Sequence, residues 1–319
     1  MAKKVFITSK LPSKIDRYLR SKGFTVSVYT GKEPLSKNEL IKKASKADGI
    51  ITLLSNKVDR EVLDELSNCK VIANYAVGYN NIDIQYAKKK GIVVTNTPGV
   101  LSDATAELTI ALILACTRRL IEAEKFMREG KFKGWMPDLF LGTELKGKTV
   151  GIVGAGEIGT EVARRIKAFK TKIIYFNRSK NSIIENELKG KKVSLDFLMK
   201  NADIITVHLP LTADTYHIID REKLKLMKKS AIIVNVARGE VIDEKYLIEL
   251  LKKKRIKAAG FDVYENEPDI NPELTKLKNV VLLPHIGSAT TETREEMAML
   301  AARNVEAVLK GKKPITPVN

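Results

Sequence analysis

The sequence predicts an α/β protein with two parallel-sheet domains, and three observations predict it. Short β-branched and apolar runs alternate with amphipathic helical segments almost throughout. A Gly-x-Gly-x-x-Gly turn stands directly between a strand-like run and a helix. The chain has 319 residues, too many for one small domain and suited to two of moderate size.

In order along the chain, KVFIT, TVSVY, GIITLL, KVIANY and GIVVTN read as strands, with PSKIDRYLRSKG and DREVLDELSN as helices between them. From Thr97 to Gly130 the pattern becomes one long helix, with Ser102 as its N-cap after Pro98 and Gly99. An irregular link containing Trp135 and Pro137 leads to a second series: TVGIVG, KIIYFN, DIITVHL, AIIVNVA, IKAAGFDV and NVVLLP. The stretch 291–311 is a last long helix with no strand after it, so it is expected to pack back on the first domain. The first domain is therefore discontinuous, 1–98 plus 287–319, around a contiguous second domain, 99–286.

Composition narrows the function. Fifty-six basic residues against 38 acidic ones give a net charge of +18, which raises the question of nucleic acid. The cations are scattered in KKASK, AKKKG, KLMKKS and LKKKR, at helix ends or on polar helix faces, so they read as solvated surface and not as a specific nucleic-acid interface. Cys69 and Cys116 are far apart and lack Cys or His neighbours, which argues against a disulfide framework or a metal site. The opening MAKKVFITSK runs straight into a strand and does not resemble a signal peptide. LTIALILAC is about half as long as a membrane span requires and is followed by Arg118 and Arg119. A soluble, cytoplasmic protein is expected.

The glycine turn is Gly154, Gly156 and Gly159 in TVGIVGAGEIGTEVARRI. Gly154 permits the tight turn, Gly156 lets a pyrophosphate approach, and Gly159 lets the helix lie close to the sheet. With Ala155, Glu157 and Ile158 it forms a dinucleotide site at a helix N-terminus. The next strand ends in Asn177, Arg178, Ser179 and Lys180, where an Asp or Glu would suit the ribose hydroxyl of NAD. Guanidinium and hydroxyl donors suit a 2′-phosphate instead, so NADP(H) is the expected cofactor, with NAD(H) possible.

Three polar residues follow strands of the second series: Arg238 after AIIVNVA, Glu267 in DVYENEP and His285 after VVLLP. Ligands of open α/β sheets gather outside the carboxyl ends of strands, so all three are expected at one crevice. His217 reads as a packed or capped histidine in apolar surroundings before a helix.

With these blocks in hand, the chain resembles the D-isomer-specific 2-hydroxyacid dehydrogenases, most closely the glyoxylate/hydroxypyruvate reductases. VGIVGAGEIG, VNVARGEVID, FDVYENEP and LPHIGSAT occur in the family's order, as do ANYAVGYNNID and VTNTPGVLSDATAELT in the first half. The resemblance implies two doubly wound domains, one flavodoxin-like and one Rossmann, with a cleft between them, and a homodimer built around the helix near 102–129. It places the family's catalytic Arg, Glu and His on Arg238, Glu267 and His285. It adds Thr105, Leu209, Pro210, Val236, Ala237, Asp262, Ile286 and Gly287 to the cofactor contacts, and makes His208, beside a loop that in the family runs past the cofactor, a possible contact and not the acid. The backbone amides of Val77 and Gly78 are implied to hold the substrate carboxylate, with Leu53, Ser288 and Arg238 as further substrate contacts. Asn80 stands where many relatives carry Asp, and Trp135 resembles an aromatic of the inter-subunit arm.

The implied activity is NADPH-dependent reduction of glyoxylate and hydroxypyruvate to glycolate and D-glycerate. Another D-2-hydroxyacid dehydrogenase, such as D-3-phosphoglycerate dehydrogenase, is the alternative that the excess lysine keeps open. A dinucleotide-sensing, corepressor-like binding protein is the non-enzymatic alternative, and the intact Arg, Glu and His set argues against it.

Overall fold

The structure is a computed structural model and describes residues 2–319. In chain order its elements begin β1 (Lys4–Ile7), α1 (Ile15–Ser21), β2 (Thr25–Val28), α2 (Lys37–Ala44), β3 (Gly49–Thr52), α3 (Arg60–Glu65), β4 (Val71–Asn74), α4 (Ile84–Lys89) and β5 (Val93–Thr95). Then follow α5 (Ser102–Arg118), α6 (Leu120–Arg128), β6 (Thr149–Val153), α7 (Glu157–Lys167), β7 (Lys172–Phe176), β8 (Lys191–Lys192), α8 (Leu195–Asn201) and β9 (Ile204–Val207). The remainder is α9 (Arg221–Lys225), β10 (Ile232–Asn235), α10 (Glu244–Lys252), β11 (Ala258–Phe261), α11 (Pro272–Thr275), β12 (Val280–Leu282) and α12 (Thr291–Leu309). The chain forms two compact units, Met1–Leu101 with Ser288–Asn319, and Ser102–Gly287.

The first unit is a parallel five-stranded sheet in the order β2-β1-β3-β4-β5, the flavodoxin-like order. Its central strands β3 and β4 are buried along their whole length, as parallel strands covered on both faces must be. Short polar side chains start its helices: Ser36 and Glu39 form a capping box, and Asp59 and Asp83 cap α3 and α4. α12 packs on β3, β4 and α1, as its lack of a following strand predicts. Gly49 makes that approach possible, because a Cβ there would sit 3.2 Å from both Val305 and Leu309.

The second unit is a parallel seven-stranded sheet in the order β12-β11-β10-β9-β6-β7-β8. The order reverses between β6 and β9, which is where a Rossmann sheet opens its ligand crevice. α5 packs on α7 and across β10 and β11. Its buried Thr109 and Thr117 satisfy their hydroxyls on helix carbonyls one turn back, Thr105 and Ile113, each at 2.8 Å.

Two details differ from the sequence expectation. The long helix is two helices, broken at Arg119, whose backbone is left-handed (φ 56°). The cause is tertiary. The Thr143 amide takes the Thr117 carbonyl at 2.8 Å, and Gly142 lets that segment press onto the helix end. Arg119 then pairs with Glu122 at 2.5 Å and covers the Phe140 ring. Ser102 is the first helical residue, not a residue before it, and its hydroxyl reaches the Glu157 carboxylate at 3.3 Å. No helix among the described residues is long and apolar enough to cross a membrane.

Candidate active site

β10, β11 and β12 are neighbours in the second sheet, so the residues that leave their carboxyl ends emerge side by side. Arg238 follows β10 in a turn clipped by the buried Asn235. The Asn235 side chain accepts from the Ala237 amide at 3.0 Å and donates to the Arg238 carbonyl at 2.9 Å. Gly239 comes next, and a Cβ on it would overlap the backbone of Tyr264 and Glu265, so only glycine lets this turn lie against the loop after β11. Burial pushes the Arg238 guanidinium below its ordinary range, against the pull of the Glu267 and Glu240 charges; an arginine remains cationic through such a change.

Glu267 sits on that β11 loop. One oxygen accepts from the Tyr264 amide at 2.9 Å and the other meets His285 Nδ1 at 2.8 Å. Burial raises its pKa, but the histidine, the Tyr264 amide and the Arg238 charge outweigh this and hold the carboxyl below the usual range. The Tyr264 hydroxyl ties the same loop to the Leu283 carbonyl at 2.8 Å, two residues before His285.

His285 has a left-handed backbone, φ 55°, a conformation that costs a non-glycine residue on the order of 1–2 kcal/mol. Asp262, only 1% exposed, holds it there. One Asp262 oxygen accepts from the Ile286 amide and the other from the Gly287 amide, each at 2.7 Å. Gly287 fits because a Cβ would press on Asp262 at 3.2 Å and on the buried Thr105 at 3.4 Å. With Nδ1 committed to Glu267, Nε2 is the ring nitrogen available for proton exchange. The arrangement can bind an oxyanion at the guanidinium and pass a proton through the imidazole.

At the switch point, Gly154 has φ 96° and donates to the Phe176 carbonyl at 2.9 Å. A Cβ on it would come within 2.8 Å of the His208 backbone, and one on Gly159 would overlap the Gly154 carbonyl. Gly156 faces open space and begins α7 without a side-chain cap, so the first amides of an eleven-residue helix are left for a phosphate. These residues fit a dinucleotide pyrophosphate. Asn181, which no sequence pattern singles out, braces the turn by donating to the Ala155 carbonyl at 3.0 Å and to the Thr160 hydroxyl at 2.8 Å.

Beyond β7, Arg178 and Ser179 are exposed, while Asn177 is half-buried and reaches the Ser179 carbonyl at 3.3 Å. Lys192, from the edge strand β8, donates to the Arg178 carbonyl at 2.7 Å and adds a cation that the sequence reading did not assign. Leu209 and Pro210 follow β9, Val236 and Ala237 follow β10, and Ile158 and Glu157 lie in the first turn of α7.

The other histidines separate clearly. Burial drives His208 down to about 3, so it is neutral, with Nε2 on the Thr206 hydroxyl at 2.8 Å. His217 has a polar partner that the sequence reading missed: its Nε2 meets Glu265 at 3.0 Å and its ring stacks on Tyr216. No group of three His, Cys, Asp or Glu side chains able to hold a metal occurs among the described residues.

In the first unit, Leu53 follows β3 and Val77 and Gly78 follow β4, all half-buried, while Ser288 opens the segment leading to α12. Leu53 is held through its amide by Asn56 Oδ1 at 2.9 Å.

Comparison with known proteins agrees with the fold. Residues 110–287 match the family model described as D-isomer specific 2-hydroxyacid dehydrogenase, NAD binding domain. A glyoxylate reductase of Thermococcus litoralis is 48% identical over 100% of this chain and 97% of its own length. One from Pyrococcus horikoshii is 45% identical over 100% of this chain and 96% of its own. Among solved structures, an NADPH-dependent glyoxylate/hydroxypyruvate reductase of Sinorhizobium meliloti, in complex with NADP and malonate, superposes with a TM-score of 0.88 at 30% identity, covering 100% of this chain and 97% of that one.

Proposed function

Because the chain belongs to the D-isomer-specific 2-hydroxyacid dehydrogenases and is an NAD(P)-dependent oxidoreductase, we propose that it reduces glyoxylate to glycolate, and hydroxypyruvate to D-glycerate, with NADPH. The observation that carries the proposal is the 2.8 Å pair of His285 and Glu267, set on strand ends beside Arg238. A bound reduced nicotinamide supplies the hydride; the protein aligns the acid and polarises the carbonyl. Arg238 holds the substrate's oxygens and stabilises the charge that develops on the carbonyl oxygen. His285, as imidazolium, donates a proton from Nε2 to that oxygen, and Glu267 steadies the positive ring before the transfer. Val77 and Gly78 hold the carboxylate, and Leu53 and Ser288 contact the rest of the substrate. Of the cofactor contacts, Asp262 acts through the turn it pins.

The pH dependence follows from Glu267. The carboxylate steadies the charged ring only while it is ionised, so turnover falls as pH drops through the Glu267 titration, which lies below the usual carboxylate range. Glu267→Gln removes the titrating carboxyl, so this acid edge is expected to disappear, with part of kcat retained. A Glu267→Gln profile that overlays the wild type contradicts the assignment.

The NADPH preference rests on Arg178 and Ser179, with no carboxylate at the β7 end to repel a phosphate. One assay tests both cofactor and substrate: oxidation of NADPH and NADH against glyoxylate, hydroxypyruvate, pyruvate and phosphohydroxypyruvate. Glyoxylate with NADPH is expected to give the highest kcat/KM. Arg178→Ala should lower NADPH efficiency about 10- to 100-fold, the weight of a charge-assisted hydrogen bond, and leave NADH nearly unchanged. Equal use of both cofactors by the wild type removes the preference.

We also propose a cytoplasmic homodimer. Supporting contact through the arm, Leu120, Ile121, Met127 and Leu141 expose apolar surface, and Trp135 is 83% exposed. Light scattering at twice 35.6 kDa checks it.

A further inference from the structure

The loop after β4 has three consecutive peptide carbonyls, each anchored by a hydrogen bond. Ala76 O accepts from the Thr97 amide, Val77 O from Asn96 Nδ2, and Gly78 O from Asn74 Nδ2, each at 2.8 Å. The N–H of a trans peptide points opposite to its C=O in the same plane. Anchoring these carbonyls therefore turns the amides of Val77, Gly78 and Tyr79 the other way. Among the described residues nothing accepts from those three amides. A row of free amides of this kind is a concavity for an anion.

Asn96 is buried and bonded to Thr316, and Asn74 belongs to a largely buried amide cluster. Asn74 is fully buried, accepts from the Thr52 hydroxyl at 3.0 Å and donates to Asn81 Oδ1 at 3.1 Å. Asn81 Nδ2 reaches the carbonyls of Leu53 and Asn56, at 3.1 and 3.0 Å. Asn56 Oδ1 holds the Leu53 amide at 2.9 Å and the Thr8 hydroxyl at 2.6 Å. Three residues assigned to the substrate, Leu53, Val77 and Gly78, are thus each tethered through the backbone by an asparagine. The cluster is uncharged, so its hold does not titrate.

We infer that Asn74 and Asn96 are positioning residues: together with the Thr97 amide they aim a nest of three amides, Val77, Gly78 and Tyr79, at the carboxylate of the substrate. The inference rests on the proposed substrate role of this loop. It adds Tyr79 as a third donor and names what orients all three.

The test uses the full-length enzyme with its cofactor. Asn96→Leu keeps side-chain size and removes the donor to Val77. The Asn96 backbone remains fixed by its own bonds to Thr316, at 3.2 and 2.7 Å. The KM for glyoxylate and the inhibition constant of oxalate are expected to rise about five- to tenfold, with kcat and the KM for NADPH within about twofold, the pattern of lost substrate binding. Asn74→Leu should show the same split; if it does not fold, Asn96→Leu decides alone. An unchanged glyoxylate KM in folded Asn96→Leu overturns the positioning role. Titration of the wild type with oxalate, followed by ¹⁵N amide shifts, tests the loop itself: Val77, Gly78 and Tyr79 should move most. If those amides stay still, the carboxylate assignment fails and the inference falls with it. If they move while the Asn96→Leu constants match the wild type, only the positioning role is lost.

Discussion

His285→Ala is expected to lower kcat for glyoxylate reduction about 10²- to 10⁴-fold, the usual weight of a positioned general acid, while NADPH binding is retained. The separation is expected because the turn is not held by the imidazole. Asp262 grips the Ile286 and Gly287 amides through its own carboxylate, so the neighbouring backbone keeps its place when the ring is removed. One complication is conformational. At φ 55° alanine is less comfortable than histidine. Asparagine tolerates left-handed backbone, cannot serve as an acid at neutral pH, and so makes the cleaner second variant. His285→Asn should match His285→Ala in kcat and lie closer to the wild type in thermal stability. Turnover near that of the wild type in either variant removes His285 from the mechanism, and loss of NADPH binding in both would mean that the turn had collapsed.

How much of this was readable beforehand depended on the kind of signal. The parallel strands were legible because burial on both faces leaves continuous apolar runs such as IIVN and VIAN. β8 was not, since two exposed lysines carry no apolar pattern. The break at Arg119 was hidden because TRRL contains neither glycine nor proline; what ends the helix is Thr143, 26 positions beyond the Thr117 carbonyl it binds. The grouping of the proposed catalytic set was legible for a topological reason. Arg238, Glu267 and His285 follow three strands that are consecutive in sequence and adjacent in the sheet, so chain order stood in for spatial order. Their supports were not legible. The histidine turn is restrained by Asp262, which the sequence reading had only as a cofactor contact. Glu265 beside His217 and the asparagine cluster behind Val77 are of the same kind. Short polar side chains that bond across tens of residues leave no periodicity in a sequence.

Arg238→Gln is expected to lower kcat/KM for glyoxylate about 10²- to 10³-fold, the loss found when a preorganised donor to a developing oxyanion is removed. Arg238→Lys distinguishes two ways in which the arginine could act. If only its charge mattered, lysine would restore most of the activity. If the planar fork matters, a single ammonium cannot reproduce its directed donors to a carboxylate and a carbonyl together. The surroundings favour the second outcome. The Asn235 clip fixes the Arg238 backbone, Gly239 presses it against the Glu267 loop, and Nη1 is directed to the Ala237 carbonyl at 2.6 Å, so the guanidinium plane is oriented before substrate arrives. Lysine is therefore expected to recover no more than about tenfold over glutamine. Charge also sets a second readout. Arg238 helps hold the Glu267 carboxyl below its usual range. Without the cation Glu267 protonates at a higher pH, and the acid edge of activity should move upward in Arg238→Gln and stay in place in Arg238→Lys. Full activity in Arg238→Lys would reduce the arginine to a point charge, and full activity in Arg238→Gln would leave the developing alkoxide without the partner that the proposed reaction requires.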